Sequence, residues 1–130
     1  MTKFEYDNIT SIIIGSAIEV HKELGPGLME SVYEVCLEKL LLRHGLKVER
    51  QVKLPVFFKG EKLDKDFYID MLIEGEIVLE LKCVDEILPI HEAQLLTYLK
   101  LSGNKIGLII NFNVVLLKDG VKRKILGTLM

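Results

Sequence analysis

The segment from Ile77 to Val84 constrains the fold more than any other part of the sequence. It is almost continuously apolar, which is typical of a strand buried on both faces of a sheet. Glu80 and Lys82 interrupt it, and because side chains alternate along a strand, both charges project from the same face. Lys and Glu are almost never fully buried unless they are paired. The segment therefore predicts either an ion pair at a sheet edge or a polar cleft.

The preceding segment, residues 67–73, contributes a third charge, Asp70. The linker at residues 74–76 indicates a hairpin, and Asp70 shares the face of Glu80 only if opposed residues sum to an even number. That parity requires an odd-length loop or a bulge, and Gly75 suits the left-handed position of a three-residue loop. A tight two-residue turn would place Asp70 on the wrong face. Three apolar residues are predicted to share the opposite, core face: Ile69, Met71 and Ile73.

Convergence of Asp70 and Glu80 would require a cation, because two carboxylates in a cleft repel each other and lose hydration. Oxygen ligands suit a hard ion such as Mg²⁺ or Mn²⁺. Lys82 could orient a water molecule or help to deprotonate it, and could stabilise charge on a phosphoryl group. The chemistry that this set favours is metal-assisted phosphodiester hydrolysis. The alternative is a structural ion-pair cluster on a partly hydrated face.

Periodicity predicts the order helix, helix, three strands, helix, strand, strand. The result is a single α/β domain over residues 1–130, in which a mixed (α+β) sheet is flanked by helices. The basic run at residues 122–124 is predicted to be a solvated end that is also a candidate phosphate contact. The predicted helices span residues 9–24, 30–44 and 90–102, and the predicted strands span residues 46–58, 67–73, 77–84, 106–111 and 114–117.

Composition narrows the functional classes. The 130 residues are 49% hydrophobic with a net charge of −2, so disorder is excluded, and a protein that coats DNA through a basic surface is disfavoured. Cys36 and Cys83 form no CxxC motif, and the three histidines lack the spacing of a zinc site. No apolar run resembles a signal peptide or a membrane span, which together with the two isolated cysteines predicts a cytoplasmic protein.

Asp70 followed by Glu80-Leu81-Lys82 resembles the D…(D/E)-x-K signature of the PD-(D/E)XK nucleases, with Ile69 in place of the family's proline. Residues 20–33 resemble the hallmark of the GxxExxY proteins within that superfamily. Residues 90–99 and 109–113 resemble later segments of the same group, so the resemblance covers nearly the whole chain in the correct order. The hallmark residues themselves are Gly27, Glu30 and Tyr33.

The resemblance implies a restriction-endonuclease-like αβββαβ core and a Mg²⁺-dependent (or Mn²⁺-dependent) nuclease that acts on DNA or RNA. It also implies that Glu30 joins Asp70 and Glu80 at the metal and that Gln94 supports the site. Small nucleases of this fold often use two active sites to cut a duplex, so a homodimer is a candidate assembly. The competing function is a non-catalytic module that keeps the fold and binds nucleic acid or protein.

Several candidate site residues could instead have purely structural roles. Glu30 could be a first-turn acid that favours its helix N-terminus, and Tyr33 is better explained as a core or cleft-wall aromatic than as a catalyst. Gln94 could be a solvated helix residue, but it shares one polar helix face with two neighbours, His91 and Tyr98. His21 is more typical of a structural residue and remains a candidate for indirect support of the site.

Overall fold

The computed structural model describes residues 1–129. Within them, five strands form one sheet in the order β1-β2-β3-β4-β5, in which β3 and β4 are parallel and the other neighbours are antiparallel. The prediction of a mixed sheet flanked by helices is therefore confirmed. The elements are α1 (Lys3–Leu24), α2 (Glu30–Arg43), β1 (Val48–Phe58), β2 (Glu61–Ile73), β3 (Ile77–Lys82), α3 (Pro89–Ser102), β4 (Ile106–Asn111) and β5 (Val121–Ile125).

The centre of the sheet is the parallel pair β3–β4, which is buried along nearly its whole length. Parallel strands need a long crossover connection, and α3 provides it. The helix packs closely on β4: a Cβ added to Gly107 would lie 2.7 Å from Cδ1 of Leu95. The near-continuous apolar runs of both strands thus reflect burial on two faces.

Helices cover both faces of the sheet and divide the core into two clusters. The first cluster packs α1 and α2 against one face and includes Ile13, Leu37, Met71 and Leu79. The second packs α3 against the other face and includes Leu95, Leu99, Val78 and Ile109. None of the helices in the described part of the chain is both long enough and apolar enough to span a bilayer.

Helix α1 begins six residues earlier than periodicity predicts. The Oγ1 atom of Thr2 accepts a hydrogen bond from the Glu5 backbone N–H at 3.2 Å, so Thr2 is the N-cap. The added segment includes Tyr6, which is buried in the core beside α1 and α2, so the apolar stripe of the helix begins before Ile9. The predicted end is confirmed: Leu24 is followed by Gly25 with φ +72°.

The end of the chain differs from the prediction. Residues 114–117 form no strand; the chain bends there and continues into a short 3₁₀ turn at Leu117–Gly120. The basic run that follows lies in the edge strand β5, so its charges alternate between faces. Arg123 pairs with Asp7 of α1 at 2.9 Å, and Lys124 pairs with Glu92 of α3 at 2.7 Å. Strand β5 pairs with β4 and forms the edge of the sheet. Its lysine side chains disfavour pairing of this edge with another strand.

Candidate active site

The β2–β3 hairpin has the parity that the site hypothesis requires. Its last pair, Ile73 opposite Ile77, encloses a three-residue loop, and the next pairs outward keep the same even sum. Gly75 in the loop has φ +65°, and Glu74 before it has φ +57°. This register sets Asp70 opposite Glu80.

At Asp70 and Glu80, hydrogen bonds between side chains and the backbone replace the regular backbone hydrogen bonds between β2 and β3. Regular pairing of β2 with β3 runs only from the loop to the Met71–Leu79 pair. Beyond it, Oδ2 of Asp70 accepts a hydrogen bond from the Leu81 N–H at 2.8 Å, and Oε1 of Glu80 lies 3.4 Å from the Asp70 nitrogen. The two strands therefore diverge where the two carboxylates converge.

Burial dominates the electrostatics of this carboxylate pair. Glu80 is only 7% exposed, and burial, followed by the nearby charge of Asp70, raises the pKa of Glu80 to about 8. Burial also raises the pKa of Asp70, partly opposed by the Leu81 N–H and by the charge of Lys82. At neutral pH, full ionisation of both carboxyl groups is therefore unfavourable unless a positive charge is added.

Lys82 is the last residue of β3 and is half-buried. The chain after it is anchored: the Lys82 carbonyl accepts the Phe112 N–H at 2.9 Å, and the Asn111 side chain makes two hydrogen bonds with the Val84 backbone. Asn111 is 1% exposed, so its amide has no competition from solvent. These contacts fix where β3 ends and hence where the Lys82 side chain starts.

Strand β2 changes faces at Asp70, which corrects one prediction. Met71 and Ile73 pack in the α1–α2 cluster, as predicted, but Ile69 packs in the α3 cluster. Residues two apart should share a face, so alternation breaks between them, at Asp70. Gln51 stands opposite Asp70 on β1, has φ +51°, and interrupts the β1–β2 pairing at the same point. Distortion of both strands at one level turns Asp70 toward β3.

Sequence reasoning missed two polar residues beside Asp70. Nε2 of Gln51 donates to Oε1 of Glu34 at 3.0 Å, and a side-chain hydrogen bond from Gln51 lowers the pKa of Asp70. Glu34 is 7% exposed, and burial raises its pKa. Helical spacing offered a signal for Glu34, which lies one turn after Glu30 on α2. No sequence signal marked Gln51, because its importance depends on a backbone distortion.

Glu30 lies at the first position of α2 and is solvent-exposed. Its negative charge raises the pKa of Glu80, although this is the smallest of the contributions to that shift. In the described residues 1–129, no three His, Cys, Asp or Glu side chains are close enough together to form a metal-binding group. Glu30 is therefore near the carboxylate pair without completing a three-residue cluster.

Tyr33 of α2 and His21 of α1 make structural contacts with the loops around them. The Tyr33 hydroxyl donates to the Gly25 carbonyl at 2.6 Å and accepts from the Leu28 N–H at 3.1 Å, so it closes the α1–α2 loop. Its ring stacks on Phe112 with centroids 4.3 Å apart. A ring nitrogen of His21 lies 2.8 Å from the Val114 carbonyl. These contacts give both residues a role in packing the loops that flank the sheet.

Three candidates on α3 face the site from the opposite side. Burial raises the pKa of Tyr98, as do the charges of Glu80 and Asp70, so its hydroxyl lies within their field. Gln94 is exposed and His91 is half-buried, and both line one open cleft together with Tyr98 and Lys82. Nδ1 of His91 accepts the Leu88 N–H at 2.9 Å, which caps α3. The structure thus brings Lys82, Gln94 and Tyr98 to one cleft.

Comparison with known proteins identifies the family. A family model described as the PD-(D/E)XK nuclease superfamily matches residues 7–124. The chain belongs to this superfamily. Its mixed sheet with helices on both faces is the restriction-endonuclease-like arrangement that the resemblance implied. The GxxExxY subgroup is not identified by this match.

One solved structure shows the same fold. The crystal structure of SSO0001 aligns with 94% of this chain at a TM-score of 0.52 and 18% identity, and the chain spans 66% of the length of that protein. At this identity the likeness concerns the fold alone. No curated protein matches the sequence.

Members of this superfamily are generally nucleases and typically use divalent metal ions, and the carboxylate pair fits such an ion. Asp70 and Glu80 each use one oxygen toward the backbone, which leaves a second oxygen on each. Mg²⁺ is commonly held by one or two carboxylates and completes its coordination with water and substrate phosphate. The donor set suits a hard cation, and its positive charge would relieve the repulsion within the pair.

Proposed function

We propose that this protein is a metal-dependent nuclease that hydrolyses phosphodiester bonds in DNA or RNA. The observation that carries the proposal is the opposed pair of half-buried Asp70 and buried Glu80 where β2 and β3 diverge, with Lys82 two residues further along β3. Membership in the superfamily supports the same assignment.

Asp70 and Glu80 would hold Mg²⁺ or Mn²⁺, and Glu30 is a further ligand candidate from the rim. When bound, the cation supplies positive charge to the scissile phosphate and makes a bound water more acidic. The backbone N–H of Leu81 holds one oxygen of Asp70 in place, which fixes the direction of its other oxygen. Glu80 binds the cation only in its ionised form, so cation binding and proton loss from Glu80 are coupled.

Lys82 would orient the attacking water and stabilise the negative charge that develops on the phosphoryl oxygens. Ammonium groups placed at such charge in a partly desolvated site contribute strongly to rate. Gln94 lines the same cleft as Lys82 and would orient a water molecule or a phosphate oxygen through its amide. Tyr98 forms the wall of the cleft next to both carboxylates.

A non-catalytic binding module is the second candidate. It is favoured by the net charge of −2 and by the lack, within residues 1–129, of a three-residue metal cluster. In this case Asp70 and Glu80 would serve the hairpin alone, through their bonds to the backbone.

The decisive experiment is cleavage of a labelled panel of single-stranded and duplex DNA and RNA in Mg²⁺ or Mn²⁺. We expect cleavage by the wild type and a loss of at least about a hundredfold in Lys82→Ala, because a charge that stabilises the transition state is removed. Lys100→Ala is the matched control, since Lys100 is an exposed lysine of α3. Undiminished activity in Lys82→Ala would overturn the mechanism. No cleavage, with no calorimetric Mg²⁺ or Mn²⁺ binding, would favour the binding module.

A further inference from the structure

An open groove of about 570 Å³ lies between α3 and β2 and is also lined by Lys82 of β3. We call it the α3 groove. Among the nine described residues that line it, Lys82 is the only Asp, Glu, Lys or Arg. Charged residues are 28% of the chain, so an outer wall without any is unusual for a solvent-facing surface. The wall is formed mainly by Phe67, Ile90, Gln94, Thr97, Tyr98 and Leu101.

The helix side of the groove is an exposed stripe of uncharged residues. Ile90 and Leu101 lie eleven residues apart, three helical turns, and are 68% and 40% exposed. Gln94 and Thr97 lie between them and offer an amide and a hydroxyl. A solvent-facing helix stripe usually carries charge, and an exposed apolar one marks an interaction surface. The acid of the first turn, Glu92, points elsewhere and pairs with β5.

The strand side of the groove is aromatic. Phe67 is 47% exposed, and its ring lies 6.2 Å from that of Tyr98 at an interplanar angle of 41°. The Phe67 ring therefore covers Tyr98 only partly and leaves a π surface open to solvent. Tyr98 in turn lies within the field of Asp70 and Glu80, so the aromatic wall leads directly to the proposed site.

We propose that the α3 groove binds the bases of an unpaired nucleic-acid strand and leads that strand to Lys82. An uncharged wall offers nothing to the phosphates on the outside of a duplex, and the bases of a duplex are stacked inside it. Unpaired bases, in contrast, stack on aromatic rings and use their edges for hydrogen bonds to amides and hydroxyls. The inference rests on the proposed nuclease function and narrows its substrate to single strands or unpaired stretches.

A second copy of the chain is the competing occupant of this surface. It is disfavoured because Lys82 lines the groove, so a copy seated there would cover a residue of the proposed site. A nucleotide strand instead needs both the apolar wall and the positive charge of Lys82. The continuity of the groove with Lys82 therefore selects the strand.

The test measures binding without cleavage, by fluorescence anisotropy of a labelled single strand and of its duplex in EDTA. We expect the wild type to bind the single strand at least about tenfold more tightly than the duplex, and Phe67→Ala to weaken single-strand binding about tenfold, since one stacking partner is lost. Phe57→Ala is the matched control: Phe57 lies on β1, is 58% exposed and is not among the residues of the groove. It should change binding less than twofold.

Other arms of the experiment separate the explanations. Gln94→Ala should also weaken single-strand binding, and it leaves both aromatic residues of the groove in place. This second variant keeps the test valid if Phe67→Ala folds poorly. Equal affinity for duplex and single strand, or full affinity in both groove variants, would overturn the groove assignment. Dimerisation of the wild type that Ile90→Glu abolishes, with single-strand affinity unchanged, would assign the groove to a second copy.

Failure of the nuclease proposal gives a different pattern. A wild type that binds the single strand through Phe67 but cleaves nothing in Mg²⁺ or Mn²⁺ would leave the groove assignment standing and reject the activity. A wild type that cleaves duplexes better than single strands, with activity lost in Lys82→Ala, would keep the activity and reject the groove.

Discussion

The two ends of the β2–β3 hairpin belong to the same two strands but differ in pairing and in polarity. Near the loop, residues 71–73 pair regularly with residues 77–79, and the side chains are largely apolar and buried. At the open end, Asp70 and Glu80 bond to the backbone of the opposite strand and the regular ladder stops. Buried apolar packing is concentrated at the first end, and the proposed chemistry lies at the second. The difference shows how one hairpin holds a charged site: the regular end fixes the register that sets Asp70 opposite Glu80.

The largest expected effect comes from Glu80→Gln at the open end. Removal of one of the two proposed metal ligands should lower the proposed nuclease activity by about a hundred- to a thousandfold, measured as initial cleavage rate in Mg²⁺. The folded protein should be retained, because a neutral amide removes a buried like-charge repulsion. Glu74→Gln makes the same change in the loop and should leave the rate within about twofold. A similar loss in both variants would remove the distinction between the two ends.

Leu79→Ala tests the regular end. Leu79 is fully buried in the α1–α2 cluster, so the change should lower the free energy of unfolding by about 3 kcal/mol through lost burial and a residual cavity. Urea denaturation monitored by circular dichroism measures it. Leu79→Met is the volume-conserving control and should cost less than about 1.5 kcal/mol. The folded fraction of Leu79→Ala should keep its affinity for Mg²⁺; lost affinity would mean that the two ends are not separable.

The pH dependence of stability should reveal the buried carboxylate. Burial raises the pKa of Glu80 from 4.5 to about 8, so the folded state binds a proton that the unfolded state has released between these values. The metal-free protein should therefore lose stability as pH rises above 4.5, by on the order of 2 kcal/mol between pH 4.5 and pH 6 at about 1.4 kcal/mol per pH unit. Denaturation in EDTA at several pH values measures this slope, and Glu80→Gln should flatten it. An equal slope in both proteins would place the proton uptake elsewhere.

The smallest expected effect on stability is that of Gln51→Gly. Glycine relieves the left-handed backbone at φ +51°, which offsets the lost hydrogen bond to Glu34, so stability should change by less than about 1 kcal/mol. Activity should fall about tenfold, because the amide no longer orients Asp70. Rate and stability are compared on the same preparation. Gln51→Asn tolerates the same backbone but has a shorter reach; full activity in both variants would deny Gln51 a positioning role.

Sequence patterns predicted the parts of the site that depend on local rules. The three residues between Ile73 and Ile77 determined the parity that sets Asp70 opposite Glu80, because a loop of odd length preserves even sums. Alternation along β3 determined that Glu80 and Lys82 share a face. Gly25 at the end of α1 was also predictable, since glycine is the residue type that adopts a positive φ without steric cost.

Other parts depended on contacts between distant segments. The face change between Ile69 and Met71 was not predictable, because it requires β1 to distort at Gln51 and β2 to distort beside it. The partnership of Gln51 with Glu34 follows from the packing of α2 over that distortion.

By itself, the sequence determined the order of the elements, the hairpin register and the charged trio Asp70, Glu80 and Lys82, since period, loop length and alternation are properties of neighbouring residues. Tertiary structure alone decided that the basic segment Lys122–Lys124 becomes an edge strand paired with β4 rather than a free end. It also decided that Glu80 is buried enough to shift its pKa. Burial and strand pairing arise from segments far apart in the chain, so no local pattern contains them.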